Sequence, residues 1–221
     1  MNLELDTVNL VKTGTTTIAI VCKDGVVVAA DKRSTAGNLV ANKRQVKIVQ
    51  IAQKMLIAQA GLVSDAQLLS KLIRAEIKLK DIQTGRPSTV KEVANLLAGL
   101  LYANIRRPTM IPGIVAFLLG GVDEDGIHVY NLGIDGSVTK KDDFESEGSG
   151  SVFAMGVLET LWKKGLSVDE GVHLALKAVN AALQRDSATG NGVDVWAITQ
   201  DGAREVLVKE IDTGLKDLKE R

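Results

Sequence analysis

Three consecutive threonines follow a glycine near the start of the chain, in "KTGTTTIAI", and the first of them is Thr15. A threonine hydroxyl is a weak nucleophile unless a nearby base accepts its proton. A free α-amine can be that base, because it titrates near pH 8 and roughly a tenth of it is neutral at pH 7. In the intact chain the Thr15 nitrogen is an amide, so this chemistry requires prior cleavage of the Gly14–Thr15 bond. Glycine suits self-cleavage because it lets the backbone bend and leaves its carbonyl open to the hydroxyl.

Other common catalytic groups are poorly supported by the sequence. The two histidines, His128 and His173, lack the spacing of metal ligands, and their scarcity also disfavours a Ser-His-Asp triad. The serine-rich "EGSGS" does not fit G-x-S-x-G, and the chain contains no P-loop motif. Cys22 falls inside an apolar strand, where cysteines are usually inert packing residues. We therefore expect no metal and no cofactor. The tetrapeptide "GTTT" alone does not establish a nucleophile, because threonine is also a common residue at the start of a strand.

Composition restricts the class of protein and its partners. A chain of 221 residues is comfortable as one domain, and an aromatic share of only 3% means that its core must be aliphatic. Lys plus Arg and Asp plus Glu number 27 each, so no net charge attracts the chain to nucleic acid or to an anionic membrane. A single cysteine cannot form an internal disulfide, and we find no signal peptide, so we expect a cytoplasmic protein. The longest apolar run, residues 110–122, is too short to span a bilayer.

Hydrophobic periodicity predicts the order of the elements. Residues 1–14 show no sustained period and are interpreted as a leader. Four strands follow, in "TTIAIVC", "VVVAAD", "VKIVQI" and "MLIAQAG", the first two joined by an Asp24-Gly25 hairpin turn. A helix is predicted from a capping box of Ser64 and Gln67 to Gly85, and a second over residues 89–106.

The second half of the chain repeats this segregation. Strands are predicted in "GIVAFLLGGV", "IHVYNLG" and "GSVTK", then helices over residues 151–163 and 167–184, the latter with a Ser167/Glu170 capping box. A final strand pair, "VDVWAIT" and "REVLV", follows. Runs of strands separated from runs of helices favour an α+β class, with two packed antiparallel sheets and helices outside, over alternating βαβ units.

Several motifs together resemble a known family. "TGTTTIAI", "VVVAADKRST", "IAQAGLVSDAQ", "EGSGS", "GVLE", "LSVDEGV" and "QRDSATG" occur in the order and spacing of the β-type subunits of the archaeal 20S proteasome, which are N-terminal-nucleophile hydrolases. The resemblance runs from Gly14 to about Val208. It implies a four-layer αββα sandwich over residues 15–221, preceded by a propeptide, residues 1–14, that is removed autocatalytically.

The resemblance also implies roles for individual residues. Thr15 matches the catalytic nucleophile, and Asp31 and Lys47 match an acidic residue and its lysine partner. A cation beside Thr15 favours its alkoxide and lowers the proton affinity of the amine. Four further positions match the rest of the catalytic machinery: the oxyanion-hole glycine, Gly61, and the groups around the amine, Ser149, Asp186 and Thr189, the last of which replaces the usual serine.

Substrate binding is implied at two sets of positions. Thr35 and Gly61 match backbone positions that hold a substrate as an added strand, a mode that tolerates many sequences. The walls of the specificity pocket match Ser34, Gln45, Val49, Gln59, Val63 and Gln67. Gln59 is more polar than the usual residue, so a strict preference for large apolar side chains is not expected.

The implied function is that of a threonine endopeptidase that degrades unfolded proteins inside a compartment. The implied partners are other β subunits in a heptameric ring, α-type subunits and, indirectly, an ATP-driven unfoldase. Whether the amine or Lys47 is the base stays open. The main alternative is an unprocessed, non-catalytic β-type ring subunit with an assembly role. That alternative predicts that a site residue is lost, and the sequence shows no such loss. A bacterial two-ring threonine protease is disfavoured by "QRDSATG" and by the leader, and an unrelated amidase of the superfamily matches fewer motifs.

Overall fold

A computed structural model describes residues 14–211, which contain twelve strands and four helices. The predicted leader, apart from Gly14, and the end of the charged tail lie outside the described residues. The strands are β1 (Thr17–Cys22), β2 (Gly25–Asp31), β3 (Ser34–Ala36), β4 (Leu39–Asn42), β5 (Ile48–Ala52), β6 (Met55–Gly61), β7 (Val115–Asp123), β8 (Gly126–Leu132), β9 (Val138–Lys141), β10 (Phe144–Glu147), β11 (Gly192–Thr199) and β12 (Gly202–Glu210). The helices are α1 (Val63–Thr84), α2 (Val90–Ile105), α3 (Ser151–Leu161) and α4 (Val168–Arg185).

Two five-stranded antiparallel sheets form the centre of the fold. The first has the strand order β10-β1-β2-β11-β12, and the second has the order β5-β6-β7-β8-β9. Helices α3 and α4 cover the outer face of the first sheet, and α1 and α2 cover the outer face of the second. The result is a four-layer αββα sandwich, as the sequence predicted.

Alternation along β1 and β2 explains why these segments lie between two apolar layers. Ile18 and Ile20 of β1 point to α3 and α4, whereas Ala19 points to the second sheet. On β2, Val27 joins the helix-side cluster, and Val28 joins the cluster between the sheets. Successive side chains of a strand face opposite sides, so a strand buried on both faces must be apolar throughout.

The predicted order of elements is correct, and two short pieces were missed. The hairpin of β3 and β4 is absent from the prediction, and so is the edge strand β10. β4 is exposed along its whole length, and β10 carries two glutamates within four residues, so neither shows the apolar pattern of a buried strand.

The capping box predicted at the start of α1 is wrong. Helix α1 begins at Val63 with Leu62 at the N-cap position and without a side-chain cap, so Ser64 and Gln67 form no capping box. Its end is as predicted, because Gly85 adopts a left-handed φ of 68° and donates to the Asp81 carbonyl. The box predicted for α4 is present: Ser167 accepts from the Glu170 amide, and the Glu170 carboxylate accepts from the Ser167 amide.

None of the helices within residues 14–211 has the length and hydropathy that a membrane-spanning helix needs.

The two capping assignments make a paired stability prediction. Ser167→Ala removes the acceptor for the Glu170 amide and should lower the free energy of unfolding by about 1 kcal/mol. Ser64→Ala, at an exposed serine that caps nothing, is the matched control and should change it by less than about 0.5 kcal/mol. Urea denaturation of the two single variants checks this, and an equal loss in both would contradict the assignment.

Candidate active site

The candidate site forms where the first sheet meets the second, around the segment that leads into β1. Thr17, the first residue of β1, pairs with Ala30 of β2 on one side and with Glu147 of β10 on the other. Antiparallel register therefore brings Asp31, at the end of β2, beside Thr16. The same register brings Ser149, just beyond β10, to Thr15.

Thr15 is buried, and its hydroxyl faces the bond that precedes it. Thr15 is only 5% exposed, and its Oγ donates to the Gly14 carbonyl oxygen over 2.7 Å. The Lys47 ammonium lies 3.5 Å from the same oxygen. The Gly14 amide is held by the Thr35 hydroxyl, which accepts its hydrogen bond over 2.8 Å. The hydroxyl and a positive charge thus lie at one peptide carbonyl.

Asp31 is fully buried and its carboxylate accepts four hydrogen bonds. Oδ1 accepts from the Lys47 ammonium at 2.6 Å and from the Thr16 amide at 2.8 Å. Oδ2 accepts from the amides of Arg33 and Gly190 at 2.9 and 3.0 Å. A buried carboxylate whose oxygens are all satisfied in this way fixes the position of its lysine partner.

Burial lowers the pKa of Lys47 below its ordinary value, and the negative charge of Asp31 opposes part of that change. Lys47 lies just before β5 of the second sheet and is 3% exposed. Water is largely excluded around its ammonium, which favours the neutral form. A lysine with a lowered pKa can exchange a proton at pH values closer to neutrality than an exposed lysine can.

A second chain of hydrogen bonds reaches the Thr15 nitrogen. The Ser149 hydroxyl donates to Asp186 Oδ2 at 2.6 Å and accepts from the Thr15 amide at 3.2 Å. The Thr189 hydroxyl donates to the same carboxylate oxygen at 2.6 Å, so Thr16 must donate its own proton across the 2.7 Å contact to Thr189. Asp186 is the C-cap residue of α4, so its position depends on that helix.

A small pocket adjoins the hydroxyl and joins most of the predicted substrate residues. Its volume is about 10 Å³, roughly one water molecule. Gly61 at the end of β6 lines it with a φ of 122°, and a side chain there would collide with the Ile114 carbonyl. Only glycine fits this position. The other lining residues are Gly14, Thr15, Ser34, Gln45, Lys47, Gln59, Val63 and Ala66.

Two of the predicted wall residues lie outside the lining of this pocket. Val49 is half-buried and packs against the core beneath α1 and α2. Gln67 is exposed on α1. Within the described chain, then, Ser34, Gln45, Gln59 and Val63 are brought to Thr15, and Val49 and Gln67 are not.

Several residues of the site were not identified from the sequence. Thr16 links the two hydrogen-bond systems, since its amide donates to Asp31 and its hydroxyl contacts Thr189. Arg33 donates to the Asn191 side chain and the Ser187 carbonyl, which ties β2 to the loop after α4. Ala66 lines the pocket. Each of these residues lies within one of the motifs that carry the resemblance, but no local pattern distinguishes it there from its neighbours.

Comparison with known proteins gives a consistent result. Residues 11–198 match the family described as proteasome subunit. A protein named proteasome subunit beta from Archaeoglobus profundus is 44% identical over 206 residues, which cover 93% of this chain and 94% of that protein. A proteasome subunit beta from Ferroglobus placidus is 42% identical over 206 residues, covering 93% and 96%. A proteasome subunit beta 1 from Thermococcus gammatolerans is 44% identical over 193 residues, covering 87% and 93%.

The buried ion pair makes a stability prediction. Asp31→Asn leaves the Lys47 ammonium without a counter-charge and replaces one acceptor oxygen by a donor, so we expect the free energy of unfolding to fall by about 3–5 kcal/mol. Asp142→Asn is the control, because Asp142 is exposed and its ion pair with Lys140 spans 3.7 Å. That variant should lose less than about 1 kcal/mol. Urea denaturation compares them, and similar losses would contradict the role of Asp31.

Proposed function

The chain belongs to the proteasome subunit family and is a β-type member of it, and from that premise we propose that it is a threonine endopeptidase that frees its own nucleophile, Thr15. The observation that carries the proposal is the geometry at the Gly14 carbonyl. The Thr15 hydroxyl donates to its oxygen at 2.7 Å, and the Lys47 ammonium lies 3.5 Å from it. The hydroxyl and the ammonium therefore both contact the carbonyl of the Gly14–Thr15 bond, whose cleavage creates the amine.

Self-cleavage begins when Thr15 Oγ attacks the Gly14 carbonyl carbon through a five-membered ring. Negative charge develops on the carbonyl oxygen, where the Lys47 ammonium stabilises it. The Gly14–Thr15 C–N bond then breaks, and the proton lost by the hydroxyl is delivered to the departing nitrogen. Water hydrolyses the resulting ester, which leaves a Gly14 carboxylate and a free Thr15 amine.

Cleavage of a substrate repeats the chemistry with the amine available. Thr15 Oγ attacks the substrate carbonyl, a base accepts its proton, and the proton passes to the leaving amine. Water then hydrolyses the acyl ester and restores the hydroxyl. Ser149 is within reach of the Thr15 nitrogen at 3.2 Å and is itself held by Asp186, so this pair orients the amine.

Two groups are candidates for the base. The α-amine titrates near neutrality without any perturbation, and it arises at the nucleophilic residue itself. Lys47 has a pKa lowered by burial, but its ammonium is bound to Asp31 at 2.6 Å. The ion pair favours the charged lysine. We therefore assign the amine as the base and Lys47 as the group that stabilises negative charge on the attacked carbonyl oxygen.

The proposed assembly follows from the proposed function. A broad endopeptidase must be separated from the proteins around it, and closed rings provide such a compartment. We propose heptameric rings of this chain against rings of α-type subunits in the cytoplasm, with unfolded protein as substrate and an ATP-driven unfoldase acting at a distance.

The catalytic role of Thr15 is tested by two substitutions at one position. Thr15→Ala removes the hydroxyl and should abolish both leader removal and hydrolysis of fluorogenic peptides by particles assembled with the α-type partner. Thr15→Ser keeps a hydroxyl on the same atom and should retain both reactions. Intact mass and peptide hydrolysis are measured on each. Peptide hydrolysis by assembled Thr15→Ala particles at the wild-type rate would contradict the assignment.

Gly14 makes a separate prediction about self-cleavage. A Cβ added at Gly14 would collide with the Ala188 Cβ and lie 2.8 Å from its Cα, so Gly14→Ala must displace the bond from the hydroxyl. We expect leader removal to slow at least tenfold, measured as the rate at which the intact mass falls after assembly. Ala188→Gly in the same chain should restore part of the rate. Cleavage of the Gly14→Ala chain at the wild-type rate would contradict this geometry.

A further inference from the structure

The pocket beside Thr15 is positioned to receive a substrate side chain. It is lined by both residues of the Gly14–Thr15 bond, so it adjoins the carbonyl that the hydroxyl attacks. In the uncleaved chain the α-carbon of Gly14 faces Ala188. A separate substrate is not joined to the Thr15 nitrogen, so its attacked residue can turn its side chain away from Ala188 and into the pocket.

The side chain of Gln59 gives this pocket a polar wall of defined orientation. Gln59 Nε2 donates to the Val46 carbonyl at 3.0 Å, and the opposite rotamer would bring two oxygens together. The orientation is therefore fixed. Gln59 Oε1 is buried and accepts no hydrogen bond from the described residues, and the whole residue is 6% exposed. A substrate side chain that fills the pocket without donating to this oxygen leaves a buried acceptor unsatisfied, which costs free energy.

The charges around the pocket determine whether a neutral or a cationic hydrogen-bond donor is favoured there. The residues that line it in the described chain include no carboxylate, and its one charged group is the Lys47 ammonium. The nearby Asp31 carboxylate already accepts four hydrogen bonds. A cationic side chain would enter without a counter-charge and beside another cation, so a neutral donor is favoured.

The rim of the pocket can open to admit a side chain. Gln45 and Val63 are only half-buried. The side chain of Gln45 makes two exposed hydrogen bonds, one from the Asn42 side-chain amide and one to the Val46 carbonyl. Displacing them costs less than displacing core residues, because their groups can return to water. Gln59 itself stays in place, since it lies within β6 between its neighbours β5 and β7.

From this geometry we propose that the Gln59 amide selects substrates in which the attacked residue has a neutral, hydrogen-bond-donating side chain, above all glutamine or asparagine. The side-chain amide donates to Gln59 Oε1, and the Ser34 hydroxyl, which also lines the pocket, is available to its carbonyl. This inference rests on the proposed function, because it assumes that Thr15 attacks substrates. It departs from a preference for apolar side chains, which would leave Oε1 unsatisfied.

The experiment uses particles assembled from the full chain and its α-type partner. Three fluorogenic peptides carry glutamine, methionine or lysine at the attacked residue and are otherwise identical. Methionine resembles glutamine in length and volume but cannot donate. We expect kcat/KM to be about tenfold higher for glutamine than for methionine, and lower again for lysine. Gln59→Met should bring the glutamine-to-methionine ratio to one or below. Gln53→Met, the same change at an exposed turn of the same hairpin, is the control and should leave the ratio unchanged.

Each outcome has a defined meaning. A wild-type ratio of one or below overturns the inference without any variant, and so does a tenfold ratio that persists in Gln59→Met. The N-terminal sequence of the β chain is read from the same particles. A terminus at Thr15 with an unselective or apolar-preferring wild type overturns only the role of Gln59. A retained leader with no hydrolysis of any peptide overturns the proposed function, and the present inference with it.

Discussion

The buried ion pair of Asp31 and Lys47 is the interaction on which the rest of the site depends. It joins the end of β2 in one sheet to the residue before β5 in the other at 2.6 Å. Ionised groups this deeply buried are stable only when every lone pair and proton has a partner. Asp31 meets that demand through the amides of Thr16, Arg33 and Gly190, so the same contacts that satisfy the carboxylate also fix the segments around Thr15.

The sandwich explains how groups remote in sequence come together at Thr15. The antiparallel register of β1 with β2 and β10 brings Asp31 and Ser149 to its two sides, and Asp186 directly follows α4. The second sheet supplies Lys47, Gln59 and Gly61 from the opposite layer. Packing of the two sheets through an aliphatic layer thus sets the distance between the Thr15 segment and Lys47. A fold held by close packing keeps that distance constant, and such constancy is what catalysis by positioning requires.

Much of the fold could be predicted because its pattern is strong, and the failures have physical causes. Buried strands such as β2 and β7 read as continuous apolar runs, and Gly85 and Ser167 mark helix ends by mechanisms that act locally. Ser64 resembled an N-cap, but the backbone entering α1 from Gly61 begins the helix earlier. For the site, the sequence could indicate Thr15 by its chemistry, and the other residues only by resemblance. The role of Thr16, and the Gln59 oxygen that has no partner within residues 14–211, depend on tertiary contacts that no local pattern records.

The central claim is that the bond before Thr15 is cut so that its amine becomes available. The most direct test is the intact mass and N-terminal sequence of the wild-type β chain in a particle assembled with its α-type partner. The account predicts a chain that begins at Thr15, with the mass of residues 15–221. A chain that still begins at Met1 in a fully assembled particle would contradict it.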